Sequence, residues 1–162
     1  GKPSLLKKGL STNKNRGKSA ITDEQSKKAK PWSLKTADTK FREVMLKSVP
    51  VKCVFPNCRI TAPDKLTVSH YHGRVNKATR FYIPNCDFLC RNHHYWDKQL
   101  GWEFQKQTEE KHGWDGRYTL YMKQKLGAHF EEVKALAESR LSPQKAIKAF
   151  QVEYLSLTQV DK

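Results

Sequence analysis

Two pairs of soft metal ligands constrain the fold of this chain more than any other feature of its sequence. Cys53 and Cys58 enclose four residues in "CVFPNC", and Cys90 and His93 enclose two residues in "CRNHH". Structural zinc sites take four Cys or His ligands in a tetrahedron, usually as two pairs held on tight turns. We therefore predict that Cys53, Cys58, Cys90 and His93 bind a structural zinc ion that ties two distant segments together.

The remaining cysteine, Cys86, is an alternative ligand in place of His93. We interpret Cys86 instead as a small buried apolar residue, because free cysteines are among the most buried residue types. Disulfides are the other common use of an even number of cysteines. They are disfavoured because histidines are interleaved with the cysteines and no signal-peptide pattern is present.

Two histidines stand side by side in this region, and they need different partners. Adjacent side chains on a helix point about 100° apart, so His93 and His94 are not expected to share one target. If His93 binds the zinc, His94 is free for another role. Upstream, the alternating segment 65–72 predicts a strand that carries His70, and Asn85 follows in a loop.

The order of strand histidine, loop asparagine and helix histidine within a zinc knuckle resembles the HNH, or ββα-metal, nucleases. The resemblance lies in "LTVSHYHGR" and "FYIPNCDFLCRNHHYWDK". It implies that His70 is the general base that activates a water against the scissile phosphate. It also implies that Asn85 orients the loop and the His70 ring, and that His94 binds a catalytic divalent metal, Mg²⁺ or Mn²⁺.

One position departs from that pattern. Most HNH sites have Asp or His directly before the base, as a second metal ligand, whereas this chain has Ser69. Water, His72 or Asp97 are alternative ligands. His72 is otherwise a solvent-facing loop histidine, and Asp97 otherwise orients His93 through its carboxylate. The complete ligand set of the catalytic metal therefore stays open.

The charge of the chain favours a nucleic-acid partner. There are 31 Lys and Arg residues against 16 Asp and Glu, which gives a net charge of +15. Lys and Arg neutralise phosphates and release counterions. A membrane surface is the competing anionic partner, but there is no apolar run near the length of a membrane span. The candidates for DNA contact, with ordinary solvated surface as the alternative, are Tyr71, Arg74, Lys77, Arg80 and Lys98.

A closer resemblance extends over about residues 50–158. The ordered segments "SHYHGR", "TRFYIPNCDFLCRNHH", "GRYTLYMKQKLG" and "QKAIKAFQVEYLSL" resemble the NinG/Rap family of lambdoid phage recombination proteins. In one departure, the second zinc pair ends in His93 where the family has cysteine. The matching residues are His70-Tyr71, Arg80-Phe81, Asn85, Cys90, Tyr118, Leu120, Gly127 and Glu153-Tyr154.

This resemblance implies a structure-specific DNA endonuclease, a Holliday junction resolvase, that cuts branched intermediates such as Holliday junctions or D-loops. Symmetric cutting of two strands implies a homodimer. Phage recombination proteins are candidate partners, and the expected location is the cytoplasm, that of the bacterial host if the chain is phage-encoded. Two alternatives stay open: an HNH nuclease acting on ordinary duplex DNA, and a zinc-stapled DNA-binding protein without catalysis, which Ser69 favours.

The expected fold class is α+β, with a zinc-stapled ββα-metal core. Residues 1–40 are predicted to form a flexible basic arm that contacts DNA, residues 41–110 the nuclease core, and residues 111–162 a helical region for packing or dimerisation.

Apolar periodicity predicts where the helices lie. It places a short amphipathic helix at 39–49, a helix from about Asp87 through Trp102, and a helix over 115–127 that ends at Gly127. A further helix is predicted in "AHFEEVKALAESRL", and the last begins after an N-terminal Ser142-Pro143 cap.

Overall fold

The computed structural model describes residues 29–160, with side chains through residue 158. This part of the chain is α+β: helices surround one two-stranded sheet. None of the helices within it is long and apolar enough to cross a membrane. The elements, in chain order, are α1 (Leu34–Ser48), β1 (Leu66–His70), α2 (Lys77–Arg80), β2 (Cys86–Cys90), a π-helical turn (Asn92–Trp96), α3 (Trp102–His112), α4 (Arg117–Leu126), α5 (Phe130–Glu138) and α6 (Pro143–Val160).

Strands β1 and β2 run antiparallel, with Leu66 opposite Cys90 and His70 opposite Cys86. All five residues of β2 are buried, so this strand lies between two covered faces. The loop before β1 adds to the sheet edge through Val54 N–H, which donates to Phe88 O at 3.0 Å. The register places the start of β1 beside the end of β2, where the second ligand pair begins.

The predicted continuous helix from Asp87 through Trp102 is wrong. Its first residues form β2, because their backbone groups pair with β1 and the side chains of Phe88 and Leu89 are fully buried. Helical structure starts only at the turn Asn92–Trp96, stops, and resumes in α3 at Trp102. A short, mostly apolar segment suits a buried strand as well as a helix, and pairing with a distant strand decided between them here.

Helix α1 begins earlier than the sequence pattern predicted. Ser33 is its N-cap, and the Ser33 hydroxyl accepts from Thr36 N–H at 3.1 Å. Ala37, Phe41 and Met45 recur at helical spacing and are buried. The helix therefore includes residues that the sequence analysis assigned to the basic arm, and residues 1–28 of that arm lie outside the described residues.

The C-terminal helices follow the predicted caps. Gly127 ends α4 with φ 55°, a conformation that suits glycine, and Ser142 Oγ accepts from Lys145 N–H at the start of α6. On α6, Phe150 stacks on Phe81 and meets Phe41 of α1 edge-on. The buried apolar residues from α1 to α6 thus form one core, and α3 crosses the predicted boundary at residue 110.

Candidate metal centre and adjoining histidine site

Four predicted ligands converge at one end of the sheet. The sulfur atoms of Cys53, Cys58 and Cys90 and a ring nitrogen of His93 all lie within 4.8 Å of one another. His93 Nδ1 is 3.7 Å from Cys53 Sγ and 3.2 Å from Cys90 Sγ. Tetrahedral zinc, with Zn–S about 2.3 Å and Zn–N about 2.0 Å, separates its ligand atoms by roughly 3.5–3.8 Å. The donor set and spacing fit a metal such as zinc.

The first ligand pair is held on a tight turn, as such sites require. Cys58 N–H donates to Phe55 O at 3.1 Å, and Asn57 takes the left-handed conformation with φ 65°. The Phe55 ring stacks on the His93 imidazole, with centroids 3.8 Å apart and planes within 6°. This stacking fixes the orientation of the fourth ligand from outside the cluster.

Cys86 lies outside this cluster. It is fully buried in β2, and burial raises the pKa of its thiol well above the usual value. Its interpretation as a buried apolar residue is therefore confirmed, and His93 completes the ligand group. Burial also raises the pKa of Cys53 to about 12. A metal cation would favour the thiolate there, so metal binding and proton release are expected to be linked.

The two adjacent histidines do have different partners. While His93 faces the sulfur atoms, His94 Nδ1 lies 2.8 Å from Thr67 Oγ1 and His94 Nε2 lies 3.3 Å from Glu103 Oε1. Thr67 belongs to β1 and Glu103 to the first turn of α3. The ring of His94 is thus held between the sheet and a helix.

His70 ends β1 and is oriented by a single backbone contact. Its Nε2 lies 2.9 Å from the carbonyl oxygen of Arg80. A carbonyl can only accept, so Nε2 carries the hydrogen and Nδ1 carries the lone pair. Within residues 29–158, Nδ1 has no hydrogen-bond partner, and it is not among the polar atoms that are buried from solvent. Burial is the main cause that lowers the pKa of His70 to about 4, so the ring is neutral at pH 7.

Asn85 is fully buried and holds the loop that follows His70. Its Oδ1 accepts from His72 N–H at 2.8 Å, and its Nδ2 donates to His72 O at 3.0 Å and to Thr79 O at 3.2 Å. The side chain thereby ties the loop that follows β1 to helix α2. Because α2 carries Arg80, whose carbonyl orients His70, Asn85 acts on the His70 ring indirectly.

Two of the residues considered as metal ligands, Ser69 and Asp97, have other hydrogen-bond partners. Ser69 is fully buried, and its hydroxyl hydrogen-bonds the Tyr118 hydroxyl at 2.7 Å. Asp97 accepts from the amides of Gln99 and Leu100, so it caps a turn. His72 lies in the loop as predicted, but it is half-buried and its Nε2 is buried without a partner within residues 29–158, so its ring does not face solvent.

Two of the predicted DNA contacts lie inside the protein. Arg80 is 6% exposed and forms a bidentate ion pair with Asp38 of α1, at 3.0 and 2.6 Å. Tyr71 is also 6% exposed, and its hydroxyl hydrogen-bonds Thr119 at 2.7 Å. Neither side chain can reach a phosphate without unfolding its surroundings, so both assignments are corrected.

The other three predicted contacts remain accessible. The Arg74 side chain is 63% exposed, Lys98 is exposed and Lys77 is partly exposed. Arg74 also lies close enough to His70 to lower the pKa of that imidazole. A cationic side chain therefore stands at the surface next to the neutral histidine.

Glu103 and Thr67 are the site residues that the sequence analysis missed. Glu103 follows His94 by nine positions and lies on a different helix. Its pKa is lowered, mainly by the hydrogen bond with His94, and the charges near it include His70. No spacing rule connects either residue to His94, so no local sequence signal could have identified them.

No family model, curated protein or solved structure matches this chain.

Proposed function

We propose that this protein is a metal-dependent DNA endonuclease of the HNH type, related in its motif order to the NinG/Rap proteins, and that it hydrolyses phosphodiester bonds in branched recombination DNA. The observation that carries the proposal is the state of His70. Its Nε2–H is fixed on the Arg80 carbonyl, and its Nδ1 lone pair has no hydrogen-bond partner within residues 29–158.

His70 would act as the general base. Its Nδ1 takes a proton from a water molecule while the water oxygen bonds to phosphorus and the bond to the 3′ oxygen breaks. The leaving oxygen takes a proton from solvent. The imidazole of His70, with a pKa of about 4, is neutral and able to accept. An approaching phosphate is anionic, favours imidazolium and raises that pKa toward the range that a base requires.

The other groups of the site bind and orient. A divalent cation at His94 would supply positive charge to the phosphate and to the leaving oxygen. Arg74 is placed to bind a neighbouring phosphate, since it is exposed and within electrostatic range of His70. The Cys53, Cys58, Cys90 and His93 cluster would hold structural zinc, which fixes the turn from which His94 projects.

The net charge of +15 supports DNA as the partner. A chain of this balance attracts polyanions over several ångströms and releases counterions on binding. Branched DNA as the substrate rests on the resemblance of the ordered segments, and so does the expected homodimer.

A second candidate function is a zinc-stapled DNA-binding protein without catalysis. The burial of Ser69 against Tyr118 favours it, because the position before the base then provides no metal ligand. The two candidates agree on zinc and DNA, and they differ only in whether phosphodiester bonds are broken.

The deciding experiment measures cleavage by the purified full chain on a synthetic four-way junction and on a linear duplex of the same sequence. Both are incubated with Mg²⁺ or Mn²⁺, and with a chelator as control. Metal-dependent cutting of the junction alone supports the proposal as stated. Equal cutting of both substrates would mean that the substrate is duplex DNA in general and not branched DNA. Binding without cutting would establish the second candidate function.

A further inference from the structure

The imidazole of His94 meets two oxygen atoms of different character. Its Nδ1 lies 2.8 Å from the Thr67 hydroxyl, and its Nε2 lies 3.3 Å from a carboxylate oxygen of Glu103. Which nitrogen carries a hydrogen determines what the second contact can be. In a neutral imidazole only one nitrogen donates, and the other presents a lone pair.

The hydroxyl of Thr67 settles the first contact. It has one hydrogen, and Thr67 Oγ1 donates that hydrogen to the Leu89 carbonyl at 2.8 Å. Toward His94 the same oxygen can therefore only accept, so Nδ1 of His94 carries the hydrogen. This follows from the backbone pairing of the two strands, because Thr67 and Leu89 face each other in the sheet register.

Nε2 of neutral His94 then presents its lone pair toward a carboxylate. Two electron-pair donors facing each other at 3.3 Å need a positive charge between them: either a proton, which makes an imidazolium ion pair, or a metal ion. Adjacent ligands of an octahedral cation with bonds of about 2.1 Å lie roughly 3 Å apart. The observed separation is compatible with that arrangement.

The pair is accessible to solvent on one side. The Glu103 side chain is 41% exposed, while that of His94 is 13% exposed, so the carboxylate side of the pair is open to water. Hydrated Mg²⁺ keeps several waters and needs few protein ligands. Lys106 and His70 are the other titratable groups whose charges act on Glu103.

We propose that Glu103 is a ligand of a divalent-cation site formed with Nε2 of His94, and that it takes the role for which Ser69 is unsuited. Thr67 is a positioning residue, since it fixes the tautomer that turns the Nε2 lone pair toward Glu103. The inference deepens the proposed nuclease function and rests on it for the purpose of the cation, but the site itself can be measured without DNA.

The test is a Mn²⁺ titration of the full-length, zinc-loaded protein without DNA, followed by electron paramagnetic resonance of free Mn²⁺. Wild-type protein is expected to bind one Mn²⁺ in addition to its zinc. Glu103→Gln keeps the shape and polarity of the side chain, and we expect it to weaken this binding at least tenfold. Glu110→Gln, an exposed position on the same helix, is the matched control and should stay within twofold.

Unchanged Mn²⁺ affinity in Glu103→Gln, or no Mn²⁺ binding by the wild type, would overturn the inference and leave Glu103 as the partner of an imidazolium. Line broadening of the His94 ring signals by Mn²⁺ in nuclear magnetic resonance spectra locates the ion directly. It also keeps the test decisive if the Gln variant folds poorly, because it needs only the wild type.

The cleavage assay separates this inference from the proposed function. Glu103-dependent Mn²⁺ binding without any DNA cleavage would retain the cation site and remove the nuclease. Metal-dependent cleavage that Glu103→Gln leaves at the wild-type rate would retain the nuclease and remove Glu103 from the site.

Discussion

The cysteine-histidine cluster and the histidine-carboxylate site are joined at two consecutive residues, yet they are built in opposite ways. The cluster uses soft donors in two sequence-local pairs, with Cys53 and Cys90 buried. The neighbouring site pairs a nitrogen of His94, on the π-helical turn, with a carboxylate oxygen of Glu103, on α3, while Thr67 of β1 positions the imidazole. It is open to solvent at Glu103. Closed sulfur-rich sites are typical of structure, and open, hard-donor sites of chemistry.

This difference predicts that damage to one site affects the other, but not the reverse. The turn Asn92–Trp96 projects His93 into one site and His94 into the other. Damage to the cluster should therefore disable both sites, because it releases the turn. Damage to the histidine-carboxylate site should leave the cluster and the fold in place.

The largest expected effect is that of Cys90→Ala. Loss of one buried ligand should abolish stoichiometric zinc, lower the free energy of unfolding by about 4 kcal/mol or more, and abolish cleavage. Zinc analysis and urea denaturation measure the first two effects. Cys86→Ala is the matched control, because Cys86 is equally buried but outside the cluster, and it should keep its zinc. Stoichiometric zinc in Cys90→Ala would refute the assigned ligand set.

The next largest effect concerns catalysis at the histidine-carboxylate site and leaves the cysteine-histidine cluster unchanged. Under the proposed function, His70→Ala should reduce the rate of junction cleavage by about 10²-fold or more, the contribution expected of a general base. Zinc content, Mn²⁺ affinity and DNA binding should persist. His129→Ala removes a histidine of the 3₁₀ turn before α5 whose ring pairs with Glu132, and it should cleave like the wild type. Cleavage at the wild-type rate in His70→Ala would show that another group is the base.

These two sites were not equally readable from the sequence. Cys53 with Cys58, and Cys90 with His93, are short-range pairs, so spacing alone identified the cluster. Glu103 was missed because its partner is set by the packing of α3 against the π-helical turn, which no local pattern encodes. Tyr71 and Arg80 look like surface residues in the sequence, but the partners that bury them, Thr119 and Asp38, are distant in the chain.

The same division applies to the fold. Helices α4, α5 and α6 were predicted because their apolar stripes and caps are local signals. Strand β2 was mistaken for the start of a helix, since its five buried residues show no period and only pairing with β1 defines it. Local signals thus predicted the helical frame, and non-local pairing determined the strand that carries Cys90.

Asn85→Asp tests whether the buried asparagine holds the loop after β1 and, through α2, the His70 ring. Aspartate cannot donate to His72 O and Thr79 O, and it brings a buried charge, so we expect a loss of roughly 2–4 kcal/mol in unfolding free energy. Hydrogen exchange of the amides in the loop 71–76 and in α2 should increase. Asn92→Asp, at an exposed position, is the control and should change stability little. Unaltered loop protection in Asn85→Asp would show that the loop does not depend on this side chain.

The smallest expected effect is a difference in pH dependence. The pKa of His70 is about 4 in the folded chain, below the unfolded value near 6.5, so the unfolded state binds more protons between these values. Stability should therefore fall as the pH is lowered from 6.5 to 4, by at most about 1.4 kcal/mol per pH unit from this group.

A comparison of the wild type with His70→Asn isolates the contribution of His70 to the pH dependence of stability. Protonation of the cysteine-histidine cluster occurs in both proteins and cancels in the difference. Urea denaturation at several pH values should give a shallower acid slope for His70→Asn. Parallel slopes would mean that His70 titrates in the folded chain as it does in the unfolded one.

Asn85 also has a consequence for the divergence of related chains. Its three hydrogen bonds hold the loop after β1 and helix α2 in place, so selection for a folded protein suffices to retain it. Glu103, whose carboxylate meets the imidazole of His94, would be retained only while a cation is needed there. Given the proposed function, related chains that bind DNA without cutting it should vary first at Glu103 and His70, and they should keep Asn85 because it holds the fold.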